Sequence, residues 1–298
     1  MNLENDLNVF YVIDGNFIIH FTVSLTSLLE NNKDLNISVF VVHDMDNIEP
    51  LNKVSDFFKN EYSIKINFKK IEGQLFDNIT NNFFGSHYIS KAAYYRLLLS
   101  DIIPTNILSG LYLDCDTIIT GSLKELLLID FEDKNQGLER FLYAVEDEKE
   151  SVNITRFKNF KVYTQFYFNS GVLFLNLKKW RQEKISNELL KTAEKYEDHL
   201  EWLDQDILNI YFNVGCGKLH SKYNRFPFQK FAVLPIIIHF SGESKPWHYV
   251  NNNHYKPIYW KYLHLTPFRN IKFEKITIKK FKQKYSEKIK KYVGLKSV

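Results

Sequence analysis

The sequence predicts an α/β fold: a Rossmann-like, mixed but mostly parallel sheet with helices on both faces. Three observations carry that expectation. Strand-like and helix-like segments alternate along the chain, as they do when helices connect the strands of a parallel sheet. No internal repeat, low-complexity block or Pro/Gly-rich linker breaks the first 268 residues. With 298 residues, 45% of them hydrophobic and 16% aromatic, the chain can bury a large core.

Element by element, NVFYVI (8–13) is a short apolar run that reads as the first strand. An amphipathic helix is expected from Phe17 to Leu29, ending at Glu30-Asn31-Asn32. SVFVVHDM (38–45) is β-branched and strand-like, and 48–62 reads as helix. IKINFKKI (64–71) alternates apolar and polar residues, as a half-buried strand does. KAAYYRLLLSDII (91–103) predicts one helix stopped at Pro104. GLYLDCDTIIT (110–120) is two apolar runs interrupted by two carboxylates. FLYAVED and GVLFLNL are further strands, and 178–197 and 203–213 further helices. In such sheets ligands bind beyond the carboxyl ends of the strands.

The formal net charge is +4, yet residues 272–298 carry ten Lys and two Glu, which leaves the rest of the chain at −4. A mildly acidic body does not bind nucleic acid on charge grounds, and any anionic surface is met by the tail. Cys115 and Cys216 make neither a disulfide framework nor a metal-binding pair. The N-terminal MNLENDLNV is polar and acidic, unlike a secretory signal. The longest apolar stretch, around FAVLPIIIHF (231–240), is far short of the roughly 20 residues of a membrane-spanning helix. A cytoplasmic protein is expected. Phe273, Ile276, Phe281, Tyr285, Ile289 and Tyr292 recur at intervals of mostly three or four among lysines. That is a basic amphipathic helix, suited to peripheral contact with the inner face of the plasma membrane. It equally suits a terminal helix packing its stripe on the body. The expected division is a body over 1–268 and a helical tail over 269–298.

Asp114 and Asp116 close the run LYL. Alternate residues of an extended strand point to one side, so both carboxylates can address one cation, and a hard divalent metal offsets the cost of placing like charges together. The pattern alone is weak, since it recurs at Asp44-Met45-Asp46 and Asp204-Gln205-Asp206. Two chemistries use such a strand end. Phosphoryl transfer of the haloacid-dehalogenase type matches LYLDCDT (111–117), with Asp114 as covalent nucleophile and Asp116 as acid/base. Against it, more than a hundred residues precede the motif and no later Gly-Asp-x-x-x-Asp element follows. Sugar transfer from a nucleotide diphosphate uses the pair to hold a metal on the diphosphate, with a uracil pocket near the first strand and basic or imidazole groups far downstream.

VFYVIDGNF (9–17), YYRL (94–97), LYLDCD (111–116), FNSGVLFLNLKKW (168–180), LDQDILN (203–209) and HFSGESKPWH (239–248) favour the second chemistry by their order and spacing. Over roughly residues 8–268 the chain resembles glycosyltransferase family 8, the family of bacterial lipooligosaccharide galactosyl- and glucosyltransferases and of glycogenin. The resemblance implies a GT-A type fold whose body is the nucleotide-sugar-binding catalytic domain. Asp114, Asp116 and His239 match the family's divalent-metal site, usually manganese, with magnesium as the alternative; this donor set suits either better than a closed zinc site. Cys115 lies between the two carboxylates in the same donor-binding segment. Lys245 matches the residue that neutralises the donor diphosphate, and Gly242 a close backbone approach to phosphates.

Asp14 and Asn16 fall where the family recognises uracil, and Phe17 where an aromatic ring stacks on it. Asp-Gly-Asn-Phe stands here for the commoner Asp-Asp-Asn-Tyr, so one carboxylate and one hydroxyl are missing. Arg96 resembles the helix arginine that reaches the donor sugar and holds nearby carboxylates, and Asn169, Ser170 and Gly171 resemble the loop at that sugar. Asp204, Gln205 and Asp206 match the triplet beneath the anomeric carbon, where the new linkage keeps its configuration. Gln205 is the family's usual candidate for the group beneath that carbon, and Asp206 the nearest carboxylate nucleophile for a double displacement. Plainer alternatives stand beside these roles: a helix cap for Asp204, a surface ion pair for Arg96, a strand-end histidine for His239, a surface lysine for Lys245 and a turn glycine for Gly242.

The first functional expectation is therefore a metal-dependent retaining transferase. It moves galactose or glucose from a UDP-sugar to an oligosaccharide or lipid-linked glycan, as in lipopolysaccharide or lipooligosaccharide synthesis. Positive charge on the departing diphosphate acts most strongly in the transition state. The alternatives are a phosphatase or phosphotransferase built on Asp114 and a noncatalytic glycan-binding protein. Intact Asp114, Asp116, His239 and Lys245 weigh against the last.

Overall fold

A computed structural model describes residues 5–71, 92–133, 137–147, 166–212, 214–228, 233–273 and 280. Its strands are β1 (Asp6–Ile13), β2 (Asn36–His43), β3 (Ile66–Lys70), β4 (Gly110–Leu113), β5 (Thr117–Ile119), β6 (Glu132–Asp133), β7 (Leu138–Glu139), β8 (Leu142–Glu146), β9 (Phe168–Leu175), β10 (Cys216–Lys218) and β11 (Ile237–His239). Its α-helices are α1 (Ile18–Asn31), α2 (Glu49–Tyr62), α3 (Ala92–Tyr95), α4 (Leu99–Ile102), α5 (Leu177–Gln182), α6 (Ile185–Tyr196), α7 (Leu203–Tyr211) and α8 (Lys256–Leu263).

The main sheet runs β10-β8-β9-β4-β1-β2-β3. β9 is antiparallel to β4 and β8, and the other pairings in this sheet are parallel. β1 shows why its sequence is apolar without alternation. Val9, Tyr11 and Ile13 pack against Phe21 and Leu25 of α1 and Val54 of α2, while Phe10 and Val12 join the opposite layer with Trp180, Leu189 and Leu208. Both faces are buried, as in a central parallel strand.

α1 departs from the amphipathic expectation, because its buried residues run almost without a gap from Ile18 to Leu29. The ribbon of β5 and β11 and the helix α8 form a third apolar cluster around Val23, outside α1. The helix is thus enclosed between two layers, and its polar residues face structure instead of water. Ser27 Oγ accepts from Ile119 N at 2.9 Å, and Ser24 Oγ lies 3.1 Å from both Thr117 Oγ1 and Tyr11 OH. Serines in mid-helix are tolerated here because each is hydrogen-bonded in the core.

Two helices expected to be continuous are broken. The segment 92–102 is α3, a 3-10 turn over Arg96–Leu98 and then α4. The tighter turn coincides with Arg96, as 3-10 turns inside helices often do at functional positions. The segment expected as one helix over 178–197 divides into α5 and α6 at Lys184, whose φ is +52°. Arg181 of α5 then closes the end of α4: its guanidinium donates to the carbonyls of Ser100 (2.8 Å), Ile103 (3.1 Å), Pro104 (3.1 Å) and Ile107 (2.7 Å). Arg181→Ala removes the guanidinium donor from all four carbonyls, leaving Pro104 O only its bond from Ile107 N, and is expected to lower unfolding free energy by roughly 2–3 kcal/mol in urea titration. Arg181→Lys should recover little, because an ammonium cannot span them in a fork.

Ile271 and Phe273 also pack on the third cluster. The rest of the aromatic stripe (Ile276, Phe281, Tyr285, Ile289 and Tyr292) lies outside the described residues. Among the described residues, no helix is long and apolar enough to cross a membrane.

Candidate active site

Asp114 and Asp116 converge, but through a turn rather than strand alternation. β4 stops at Leu113, Thr117 N bonds back to Asp114 O at 3.1 Å, and Thr117 Oγ1 does so at 2.7 Å. β11 pairs antiparallel with β5 in a register that sets His239 opposite Thr117. His239 Nε2 consequently lies 3.2 Å from Asp116 Oδ1 and 3.7 Å from Asp114 Oδ2. The three donor atoms stand within 4.8 Å of one another.

The imidazole is oriented by Asn224, a residue that no sequence motif singles out. Asn224 Nδ2 donates to Asn169 Oδ1 at 2.8 Å, which leaves its Oδ1 to accept from His239 Nδ1 at 3.0 Å. Nδ1 is therefore the nitrogen engaged by Asn224, and Nε2 is the one turned toward the carboxylates, where a metal ligand would be needed. Asn224→Ala is expected to weaken manganese binding 10–100-fold, read by direct metal titration, while the fold persists. Gly171 completes the fit: a Cβ there would stand 2.3 Å from His239 Cε1 and 2.7 Å from Asp114 Oδ2. The chemistry and placement of these residues fit a hard divalent cation.

Arg96 is not a surface ion pair. It is buried, 3.0 Å from Asp114 Oδ1 and 3.2 Å from Asp204 Oδ2, and it donates to Ser170 O at 2.9 Å. Its guanidinium lies over the Tyr112 ring, whose hydroxyl donates to Asp114 Oδ1 at 2.6 Å. Burial opposes the arginine's charge, but Asp114 and Asp204 hold its pKa above the ordinary value. Burial likewise opposes ionisation of Asp116, whereas Lys245 and His239 hold it well below the usual carboxylate range. Lys245 Nζ lies 2.6 Å from Asp116 Oδ2 and donates to Phe240 O at 3.0 Å. Burial pushes Asp204 up to about 6 against the pull of Arg96. Its Oδ2 is buried and carries no hydrogen bond among the described residues.

These groups line a cavity of about 600 Å³ at the carboxyl ends of the strands. Of the residues expected at the site, Arg96, Asp114, Asp116, Asn169, Ser170, Asp204, Gln205, His239, Gly242 and Lys245 line it. Gly242 adopts φ +88°, the left-handed backbone that favours glycine. Gln205 Oε1 accepts from Asn169 Nδ2 at 2.8 Å and from Ser170 N at 3.0 Å, joining α7 to β9.

The other residues singled out from the sequence lie outside the cavity lining. Asp206 does not line the cavity: it accepts from Tyr167 OH (2.6 Å), Glu201 N (2.7 Å) and Trp202 N (2.8 Å). Asp206 thus reaches back from the first turn of α7 to the two amides that precede it, and the N-cap position itself, Trp202, has no side-chain cap. The Cys115 thiol is buried and faces Val12 O at 3.4 Å, so it belongs to the core. Asp14, Asn16 and Phe17 follow β1 outside this cavity. Asp14 Oδ1 accepts from Asn16 N (2.8 Å) and Phe17 N (3.2 Å), and the Phe17 ring meets His20 and Trp247 edge-on.

Comparison with known proteins agrees with this arrangement. The family model "Glycosyl transferase family 8" matches residues 8–251. A lipopolysaccharide 1,2-glucosyltransferase of Escherichia coli is 28% identical, over 93% of this chain and 84% of its own length. General stress protein A of Bacillus subtilis is 24% identical, over 91% of this chain and 98% of its own. Among solved structures, the galactosyltransferase LgtC in complex with donor and acceptor sugar analogs is similar in fold, with a TM-score of 0.76 at 22% identity. That match covers 93% of this chain and 100% of LgtC.

Proposed function

The chain belongs to glycosyltransferase family 8, and from that premise we propose that it transfers galactose or glucose from UDP to a bacterial surface glycan, with manganese or magnesium held by Asp114, Asp116 and His239. The observation that carries this reading is the convergence of those three side chains, with the His239 ring oriented by Asn224, beside Lys245 in one cavity. A divalent cation there supplies positive charge to the diphosphate leaving group. Lys245 adds a second positive charge against the same diphosphate, and both count most where negative charge develops. Arg96 pairs with both Asp114 and Asp204 and fixes them in place.

Retention is assigned to front-face attack. Asp206 is occupied by Tyr167 and two backbone amides, and Asp204 is paired with Arg96. The departing diphosphate then accepts the acceptor's proton, and no protein base is required. A phosphatase built on Asp114 fits poorly, since the would-be nucleophile is held by Arg96 and Tyr112. The acceptor is taken to be a lipopolysaccharide-type or other lipid-linked glycan, in keeping with the name of the E. coli relative. Residues 272–298, with their ten lysines, are proposed to meet the anionic inner membrane face.

The test is UDP release from a panel of UDP-sugars, with and without manganese and without acceptor. Manganese-dependent turnover of one UDP-hexose is expected, and it names the donor. No turnover of any donor, together with metal-dependent cleavage of a generic phosphate ester, would overturn the reading.

A further inference from the structure

The loop carrying Lys245 is held by an aromatic stack that reaches into the start of the C-terminal segment. Trp247 lies two residues beyond Lys245, and its ring stacks on His20 of α1 at 3.4 Å and 14°. Phe273 stacks on the same imidazole at 5.3 Å and 27° and meets Trp260 of α8 edge-on at 5.9 Å. Trp260 Nε1 in turn donates to Pro246 O at 3.1 Å, and His20 Nδ1 lies 2.8 Å from Tyr259 OH. Burial pushes the His20 pKa down to about 3, so at neutral pH the ring acts as an aromatic face and not as a charge. Lys245 is thus fixed from the next residue by Trp260 and from the one after by His20, and Phe273 is the ring that contacts both supports.

We propose that Phe273 and His20 are positioning residues for Lys245, so that the segment leading into the basic tail completes the donor diphosphate site. The proposal rests on the reading of Lys245 as a diphosphate contact. It gives Phe273 a task different from the rest of the stripe, since its ring meets the catalytic body rather than a lipid surface.

The test is calorimetric titration of UDP with manganese into the full-length chain. Phe273→Ala is expected to weaken UDP binding about tenfold, the order of a well-placed aromatic contact. Phe273→Tyr, which keeps the stacking ring, should bind like wild type. Lys245→Ala should weaken binding by itself, and adding Phe273→Ala to it should cost less than about twofold, because the two act through one contact. An unchanged affinity in Phe273→Ala would overturn the proposal, and so would a full tenfold loss in the Lys245→Ala background, which marks a merely structural role. If Lys245→Ala alone binds UDP normally, the diphosphate reading fails, and the inference falls with it by a different route. Should Phe273→Ala unfold, Phe273→Leu keeps the apolar bulk without the stack. It is expected to melt like wild type and bind UDP more weakly; wild-type affinity in that variant would overturn the proposal.

Discussion

His239→Ala is expected to reduce sugar transfer at least ~10³-fold, the scale of removing a group aimed at developing charge together with the cation it helps to hold. The imidazole is buried and forms one corner of the cluster, 3.2 Å from Asp116 Oδ1. Without it, Asp114 and Asp116 still have Arg96, Tyr112 and Lys245 as partners, so the carboxylates stay in place. The loss should therefore appear as weakened manganese affinity and a collapse of kcat, with thermal unfolding in a chelator close to wild type. The same substitution separates the two chemistries weighed from sequence. A phosphatase built on Asp114 assigns no role to His239, so full activity in the variant would remove the transferase reading.

The fold was legible because β1, β2 and β9 are apolar runs whose burial on both faces needs no tertiary information to anticipate. The breaks at Arg96 and Lys184 were not, since nothing in KAAYYRLLLSDII or in the lysine-rich 178–197 stretch marks a 3-10 turn or a left-handed residue. The burial of α1 on all sides was hidden for a related reason. Its serines and threonines look like a wet face, and only the β5–β11 ribbon, supplied by residues about ninety and two hundred positions later, turns them inward.

At the site, motif letters located the side chains but not their partners. Asp204 and Asp206 are indistinguishable in LDQDILN, yet positions two apart on a helix face nearly opposite ways, about 200° around the axis, which sends one to the cavity and the other to the backbone amides of Glu201 and Trp202. Asn224 carried no signal, because its work is done by contacts to residues 15 and 55 positions away. Tyr112 was within reach of sequence reasoning, since a residue two before Asp114 on a strand shares its side, and its hydroxyl does bond that carboxylate.

Gly171→Ala is expected to match His239→Ala in its loss of transfer, although it adds only one methyl group. Gly171 lies in β9, between β4 and β8 in the sheet, and its carbonyl accepts from Asp114 N at 2.8 Å. The backbone is pinned from both sides, so the clash at 2.3 Å from His239 Cε1 and 2.7 Å from Asp114 Oδ2 must be relieved by the ligands themselves. Moving the ring also breaks its bond to Asn224 and with it the orientation of Nε2. Stability in a chelator should fall by about 1–3 kcal/mol, the ordinary range of overpacking, while manganese affinity and transfer fall ~10²–10³-fold. The decisive measurement is the double variant. If the glycine is required only to make room for the ring, Gly171→Ala should cost little once His239→Ala has removed it, and the two losses will be far from additive. Independent, additive losses would mean that Gly171 serves the donor sugar directly, as the sequence motif alone suggests.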